Sequence, residues 1–227
     1  MYVKRGDANM SYRKVSLVSG EIYHVFTKSI SNFRVFNLDK DYARMIETIA
    51  FYRSANPPCR FSEYEENKIR TNNDGFSTRN QEHIVNIVAY CLMPTHLHLV
   101  IQQLRDGGVS RFINLVLKSY SKYFNLSHNR KGPLWEGRFK NVLVETDEQL
   151  LHLTRYVHLN PVTAFLVSQP EDWRYSSYTE YLGLRQGKQM CSYALILGID
   201  IPSYKQFVNN RIGYQRELAK IKQLVLE

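Results

Sequence analysis

Ile84-Val-Asn-Ile-Val-Ala-Tyr-Cys-Leu-Met93, then Pro94-Thr95, then His96-Leu-His-Leu-Val-Ile-Gln102 is the stretch on which the fold turns. Its first ten residues are almost continuously apolar, and after the break at Pro94-Thr95 polar and apolar residues alternate. That pattern predicts two neighbouring strands joined by a tight connection. Upstream, Glu21 to Thr27 alternates and is rich in β-formers, which predicts an earlier strand. Asp39 to Tyr52 carries Tyr42, Met45, Ile46, Ile49 and Ala50 at helical spacing, and Asn56-Pro-Pro-Cys59 ends that helix. Residues 56–80 read as a variable insertion, because Glu63 to Asn80 is charged, Asn-rich and almost without period.

Downstream, Gly107-Gly108 punctuates the chain and Ser110 is a candidate cap for a second amphipathic helix. Phe112, Ile113, Leu115, Val116, Tyr120, Tyr123 and Phe124 would form its apolar face. Asn125 to Gly137 is a basic loop, and Phe139 to Val144 reads as a further strand. Thr146-Asp-Glu-Gln149 is a capping-box sequence opening a third helix that buries Leu150, Leu153 and Val157. Pro161 disfavours helical geometry in the residue before it, which predicts a stop or kink near Asn160.

Strand, helix, strand, strand, helix, strand is the order of an α+β ferredoxin-like sandwich, an antiparallel sheet with helices on one face. The other face is then left for a ligand. Residues 1–187 read as one catalytic domain, and residues 188–227 as a helical C-terminal tail.

Composition narrows the function classes. The chain is 44% apolar and 22% charged, as ordinary globular proteins are, and has no run long enough to span a bilayer. Met1 to Asp7 shows no secretory apolar region, so the cytoplasm is the expected location and no membrane is expected as a partner. Cys59, Cys91 and Cys191 lack CxxC spacing, which argues against a disulfide framework or a cysteine zinc site. A net charge of +9 favours a polyanionic partner. There is no GxxxxGK[ST] or GxGxxG sequence, so no nucleotide cofactor is expected.

In His96-Leu-His98 the strand period of two puts both imidazoles on one face and Leu97, Leu99 and Ile101 on the other. The apolar residues take the helix-covered side, so the imidazoles face outward, near enough to share one divalent ion. A pair of strand histidines with no such role fits the same pattern. His152, Tyr156 and Asn160, four apart, line one stripe of the third helix. A phenol is a poor nucleophile unless a cation or base assists it. The Asn160 amide oxygen suits a hard cation such as Mg²⁺ or Mn²⁺ as third ligand. His152 and His158 read as structural or solvent-facing.

These residues sit within a recognisable pattern. Tyr90-Cys-Leu-Met-Pro-Thr-His-Leu-His-Leu-Val100 resembles the HUH motif (His, hydrophobic, His) of the single-tyrosine transposases. Arg155-Tyr-Val-His-Leu-Asn-Pro161 resembles their nucleophile helix. Lys131-Gly-Pro-Leu-Trp-Glu-Gly-Arg-Phe-Lys140 and Trp173-Arg-Tyr-Ser-Ser-Tyr178 resemble segments of the subgroup called REP-associated tyrosine transposases. Thr95 departs from the Asn or Glu that commonly precedes the first histidine of the motif.

The resemblance implies that His96, His98 and Asn160 hold Mg²⁺ or Mn²⁺ and that Tyr156 attacks single-stranded or hairpin DNA, forming a 5′-phosphotyrosine link. It also implies a monomer or a homodimer. Between Arg105 and Glu145 the local charge balance is +5, with aromatic residues interleaved, which suits an unpaired strand. Arg130, Lys131, Trp135, Arg138 and Lys140 are the candidate DNA contacts, although Tyr120, Phe124 and Trp135 could equally be core residues. Two rival functions fit the same sequence. One is a hairpin-DNA-binding module that no longer cuts, and the other a metal-dependent hydrolase with a water nucleophile.

Overall fold

In the computed structural model, which describes residues 16–71, 82–185, 189–193 and 199–226, β2 (Val85–Met93) and β3 (His96–Gln103) form the antiparallel hairpin, with Pro94 and Thr95 in the turn. β1 (Ile22–Lys28) pairs antiparallel with β3 on one side and with β4 (Lys140–Val144) on the other, so the strand order is β2-β3-β1-β4. This is the α+β sandwich expected from the element order.

Alternation sorts the side chains between two faces. Tyr23, Val25, Leu97, Leu99 and Ile101 are buried beneath α1 (Asp39–Tyr52) and α3 (Gly108–Ser127), which contribute Met45, Ile49, Phe112, Val116 and Tyr120 to the same core. The second face is only partly open. α4 (Asp147–Thr163) lays Leu150 and Val157 over Val88, Ala89, Cys91, Met93 and Val100, forming a smaller cluster on the β2–β3 half.

Local signals account for the helix starts, with exceptions. Thr146 Oγ1 accepts from Gln149 N at 3.1 Å, while Gln149 Oε1 accepts from Glu145 N at 2.9 Å, one residue before the expected reciprocal partner. α3 starts at Gly108, two residues before the expected Ser110 cap. Its N-cap Gly107 is left-handed at φ 69°, and the buried Gln103 side chain accepts from Val109 N at 3.1 Å. Pro161 does not stop α4, which continues to Thr163. The missing N–H falls in the last turn, where one lost bond to Val157 is outweighed by burial of Leu159 and Val162.

The aperiodic reading of the 56–80 insertion is also corrected, because Phe61–Thr71 forms α2. Phe61 and Tyr64 pack on Phe51 at ring distances of 5.2 Å each, and Arg44 pairs with Glu65 beneath them. Tertiary packing of two aromatic residues holds a helix whose remaining residues, the exposed Ile69 apart, are polar. The part of the insertion at 72–80 lies outside the described residues.

The segment Trp173 to Tyr178 closes the free edge of β2. Tyr175 O accepts from Leu92 N at 3.0 Å, Ser177 N donates to Tyr90 O at 2.9 Å, and Trp173 Nε1 donates to Leu92 O at 3.0 Å. α5 (Tyr178–Tyr181) follows, and then α6 (Ile201–Asn209) and α7 (Ile212–Leu226) pack against α4. The tail therefore shares the core, with Tyr204 and Val208 buried. No helix among the described residues is long and apolar enough to cross a membrane.

Candidate active site

Beside the Leu150–Val157 cluster the second sheet face carries the two motif histidines, His96 partly exposed and His98 buried. In the antiparallel register His96 stands opposite Lys28, His98 opposite Phe26, and Phe26 in turn opposite Lys140. The His96 and His98 rings lie 5.0 Å apart, nearly perpendicular. A third imidazole that the sequence reading did not select joins them. His24 on β1 is diagonal to His98, and its Nε2 lies 2.9 Å from His98 Nδ1 with the rings stacked at 5.1 Å. His96 Nδ1 lies 3.0 Å from Thr95 Oγ1.

Each motif imidazole thus has Nδ1 engaged by a neighbour, and no hydrogen bond among the described residues uses Nε2. Burial holds all three neutral at pH 7: His24 and His96 are pushed down to about 4, with Lys28 lowering His96 further, and His98 is pushed down to about 2. Neutral imidazoles oriented through one nitrogen and unencumbered at the other are the state required of metal ligands.

α4 carries the nucleophile candidate to this face. The Tyr156 ring stands edge-on to His98 at 5.8 Å and to His24 at 6.1 Å, and is 47% exposed. Burial raises its phenol above the ordinary value, while a hydrogen bond from Asn160 pulls the other way. Asn160 also donates through Nδ2 to the Tyr156 carbonyl at 3.0 Å, a bond that leaves Oδ1 uncommitted. Among the described residues no three His, Cys, Asp or Glu form a metal-binding group. The donor set compatible with a hard cation is therefore two imidazoles, the Asn160 amide oxygen, and water or phosphate oxygens.

The remaining candidates separate. Lys131, Arg138 and Lys140 are exposed, and Lys140 shares the sheet row of Phe26 and His98. Arg130 is half-buried. It donates to Asn125 Oδ1 at 3.2 Å and to the Gly132 and Pro133 carbonyls at 3.2 and 2.8 Å, organising its own loop beside Phe33. Trp135 offers no stacking face. It is 8% exposed, donates to Ser121 Oγ at 3.0 Å and packs with Tyr120 in the core, where Phe124 also lies. The expected aromatic contact at Trp135 is therefore corrected to a structural role.

His152 bonds to Arg155 at 2.7 Å, and His158 is fully buried, in keeping with the structural roles expected for them. His24 and Lys28 were missed although β1 itself was recognised. Its alternation puts them on one face, but only the cross-strand register brings that face to the motif.

The family model described as "Transposase IS200 like" matches residues 65–160, the segment that contains His96, His98, Tyr156 and Asn160. Over residues 65–160 the chain is therefore similar to the IS200-like transposases. The curated "Putative REP-associated tyrosine transposase" of Haemophilus influenzae is 29% identical over 101 residues, covering 40% of this chain and 57% of that protein. The match thus spans little more than half the length of that relative. A solved structure of a REP-associated tyrosine transposase bound to a REP hairpin superposes with a TM-score of 0.50 at 17% identity, covering 82% of this chain and 96% of that one. At that identity the likeness concerns the fold alone. The resemblance to the REP-associated tyrosine transposases read from the sequence is borne out.

Proposed function

We propose that this transposase-family chain cuts and rejoins single-stranded or hairpin DNA, with Tyr156 as covalent nucleophile and His96, His98 and Asn160 as holders of Mg²⁺ or Mn²⁺. The observation that carries this reading is the position of Tyr156, half exposed and edge-on to the buried His98 on the second sheet face. A bound divalent ion would supply Lewis-acid polarisation of the scissile phosphate and favour the phenolate. Tyr156 Oη attacks phosphorus and the bond to the 3′ oxygen breaks. The phenolic proton ends on the departing 3′ oxygen, leaving a 5′-phosphotyrosine link and a 3′-OH. Rejoining is the reverse step and conserves the phosphodiester energy, so no nucleotide is consumed. Lys28, Arg138 and Lys140 are placed to hold the strand backbone.

The test is a denaturing gel of protein incubated with a labelled hairpin carrying a single-stranded flank, in Mg²⁺ or Mn²⁺. Wild type should form a covalent protein–DNA band. Tyr156→Phe, His96→Ala and His98→Ala should not, while retaining binding in a native gel shift. Cleavage by Tyr156→Phe at the wild-type rate would defeat the nucleophile assignment and favour a water nucleophile. Binding without cleavage in wild type would favour the non-cutting module.

A further inference from the structure

We propose that His24 is a positioning residue for the metal site: it accepts the Nδ1 proton of His98 and so holds His98 in the tautomer whose Nε2 lone pair is available to a cation. This inference rests on the reading of His96 and His98 as ligands. A neutral imidazole has one N–H and one bare nitrogen, and the partner of one nitrogen determines which is which. The 2.9 Å separation of His24 Nε2 and His98 Nδ1 admits one proton between them. If His24 donated, His98 would carry its proton on Nε2 and could not ligate. If His98 donates, His98 Nε2 is bare and His24 carries its proton on Nδ1.

The same logic applies to His96, whose Nδ1 can donate to Thr95 Oγ1 at 3.0 Å. The two motif imidazoles are therefore oriented by unlike partners, one a hydroxyl in the hairpin turn and the other a side chain from the adjacent strand. Phe26 at 5.0 Å from the His24 ring and Tyr156 at 6.1 Å flank that imidazole and restrict its rotation. His24 thereby links β1 to the face on which the nucleophile stands.

The experiment pairs two readouts on wild type, His24→Leu and His24→Gln. Long-range ¹H–¹⁵N spectra of histidine-labelled, metal-free protein report the tautomer of His98 directly, and electron paramagnetic resonance titration reports Mn²⁺ affinity. Wild type should show His98 protonated on Nδ1. His24→Leu removes the acceptor and should release His98 to the Nε2–H form, with Mn²⁺ bound about 10–100-fold more weakly. His24→Gln, whose Oε1 can take the place of Nε2, should restore both the tautomer and most of the affinity, a rescue that a purely packing role would not give. An Nε2–H His98 in wild type, or wild-type Mn²⁺ affinity in His24→Leu, overturns the proposal alone. A wild type that takes up no Mn²⁺ overturns the ligand reading and the proposal with it.

Discussion

His158 on α4 is bonded through Nδ1 to the hydroxyl of Tyr204 on α6, at 2.7 Å, while its Nε2 meets Ser177 Oγ at the same distance. Tyr204 in turn donates to Thr154 Oγ1 at 3.0 Å, and Ser177 Oγ also meets Tyr90 N at 2.9 Å. One fully buried imidazole thus ties α4, the β2 edge and the C-terminal helices together.

Acid should loosen this connection. Burial pushes the His158 imidazole down to about 3, below its unfolded value of 6.5. The unfolded chain therefore binds the extra proton first. The contribution of His158 to stability is complete above pH 6.5 and is lost as pH falls from there toward 3, at about 1.4 kcal/mol per pH unit within that window. His24, His96 and His98 act in the same direction. Urea unfolding of metal-free protein at pH 7, 6 and 5 should show stability declining with acid, and a shallower decline in His158→Gln. Equal slopes would refute the assignment.

Gly108 opens α3 against the end of β2, and a Cβ there would sit 2.5 Å from the carbonyl oxygen of Ile84. The Ile84 oxygen is backbone held by a hydrogen bond from Leu104 N at 3.0 Å, and Gly108 is fixed in the first turn of α3, so neither side can yield cheaply. Gly108→Ala should cost about 1–3 kcal/mol of stability, as overpacking does, read as a shift of the urea midpoint at unchanged slope. A neutral result would mean that the start of α3 moves freely.

Asn160 should matter to the metal more than to the DNA. Its Nδ2 is engaged by the Tyr156 carbonyl, which aims the amide while leaving Oδ1 uncommitted. Asn160→Ala should raise the Mg²⁺ concentration needed for half-maximal cleavage on the order of tenfold, with Asn160→Asp closer to wild type and hairpin affinity nearly unchanged in both. Cleavage undiminished in chelator would reject a catalytic metal.

Where the chain's structure is local, the sequence reading and the structure coincide. The β2–β3 hairpin and the helix at Asp39–Tyr52 follow from alternation and helical spacing within a few residues. Contacts that depend on distant partners were not legible. His24 and Lys28 gain significance only from the β1–β3 register, and nothing within Glu21 to Thr27 reveals it. α2 owes its helix to Phe51 and Tyr52 beneath Phe61 and Tyr64, not to its own periodicity. Trp135 in a basic segment looks the same in sequence whether its ring faces solvent or, as here, the core. The expectation that helices take one sheet face holds for α1 and α3. α4 comes to the other face because Leu150 and Val157 find Val88, Cys91 and Val100 there.

The last prediction concerns which DNA is cut and what holds it. A single strand can bend so that its phosphate enters beside Tyr156, whereas a stacked duplex keeps its backbone on a stiff cylinder and its bases paired. Hairpins with a single-stranded flank should be cleaved and blunt duplex should not. Lys28 and Lys140 stand on the sheet face of His98, and Lys131 and Arg138 are exposed on the approach to β4. Arg130, by contrast, donates to its own loop and should matter less. Removing Lys28, Lys131, Arg138 and Lys140 together should flatten the slope of log affinity against log salt by up to about 0.7 per lost phosphate contact on single strands. Arg130→Ala alone should leave that slope nearly unchanged. Fluorescence anisotropy of a labelled hairpin across several salt concentrations measures both, with a blunt duplex as control. An unaltered slope in the quadruple variant would remove this strip of charge from the DNA path, and efficient cutting of duplex would defeat the single-strand reading.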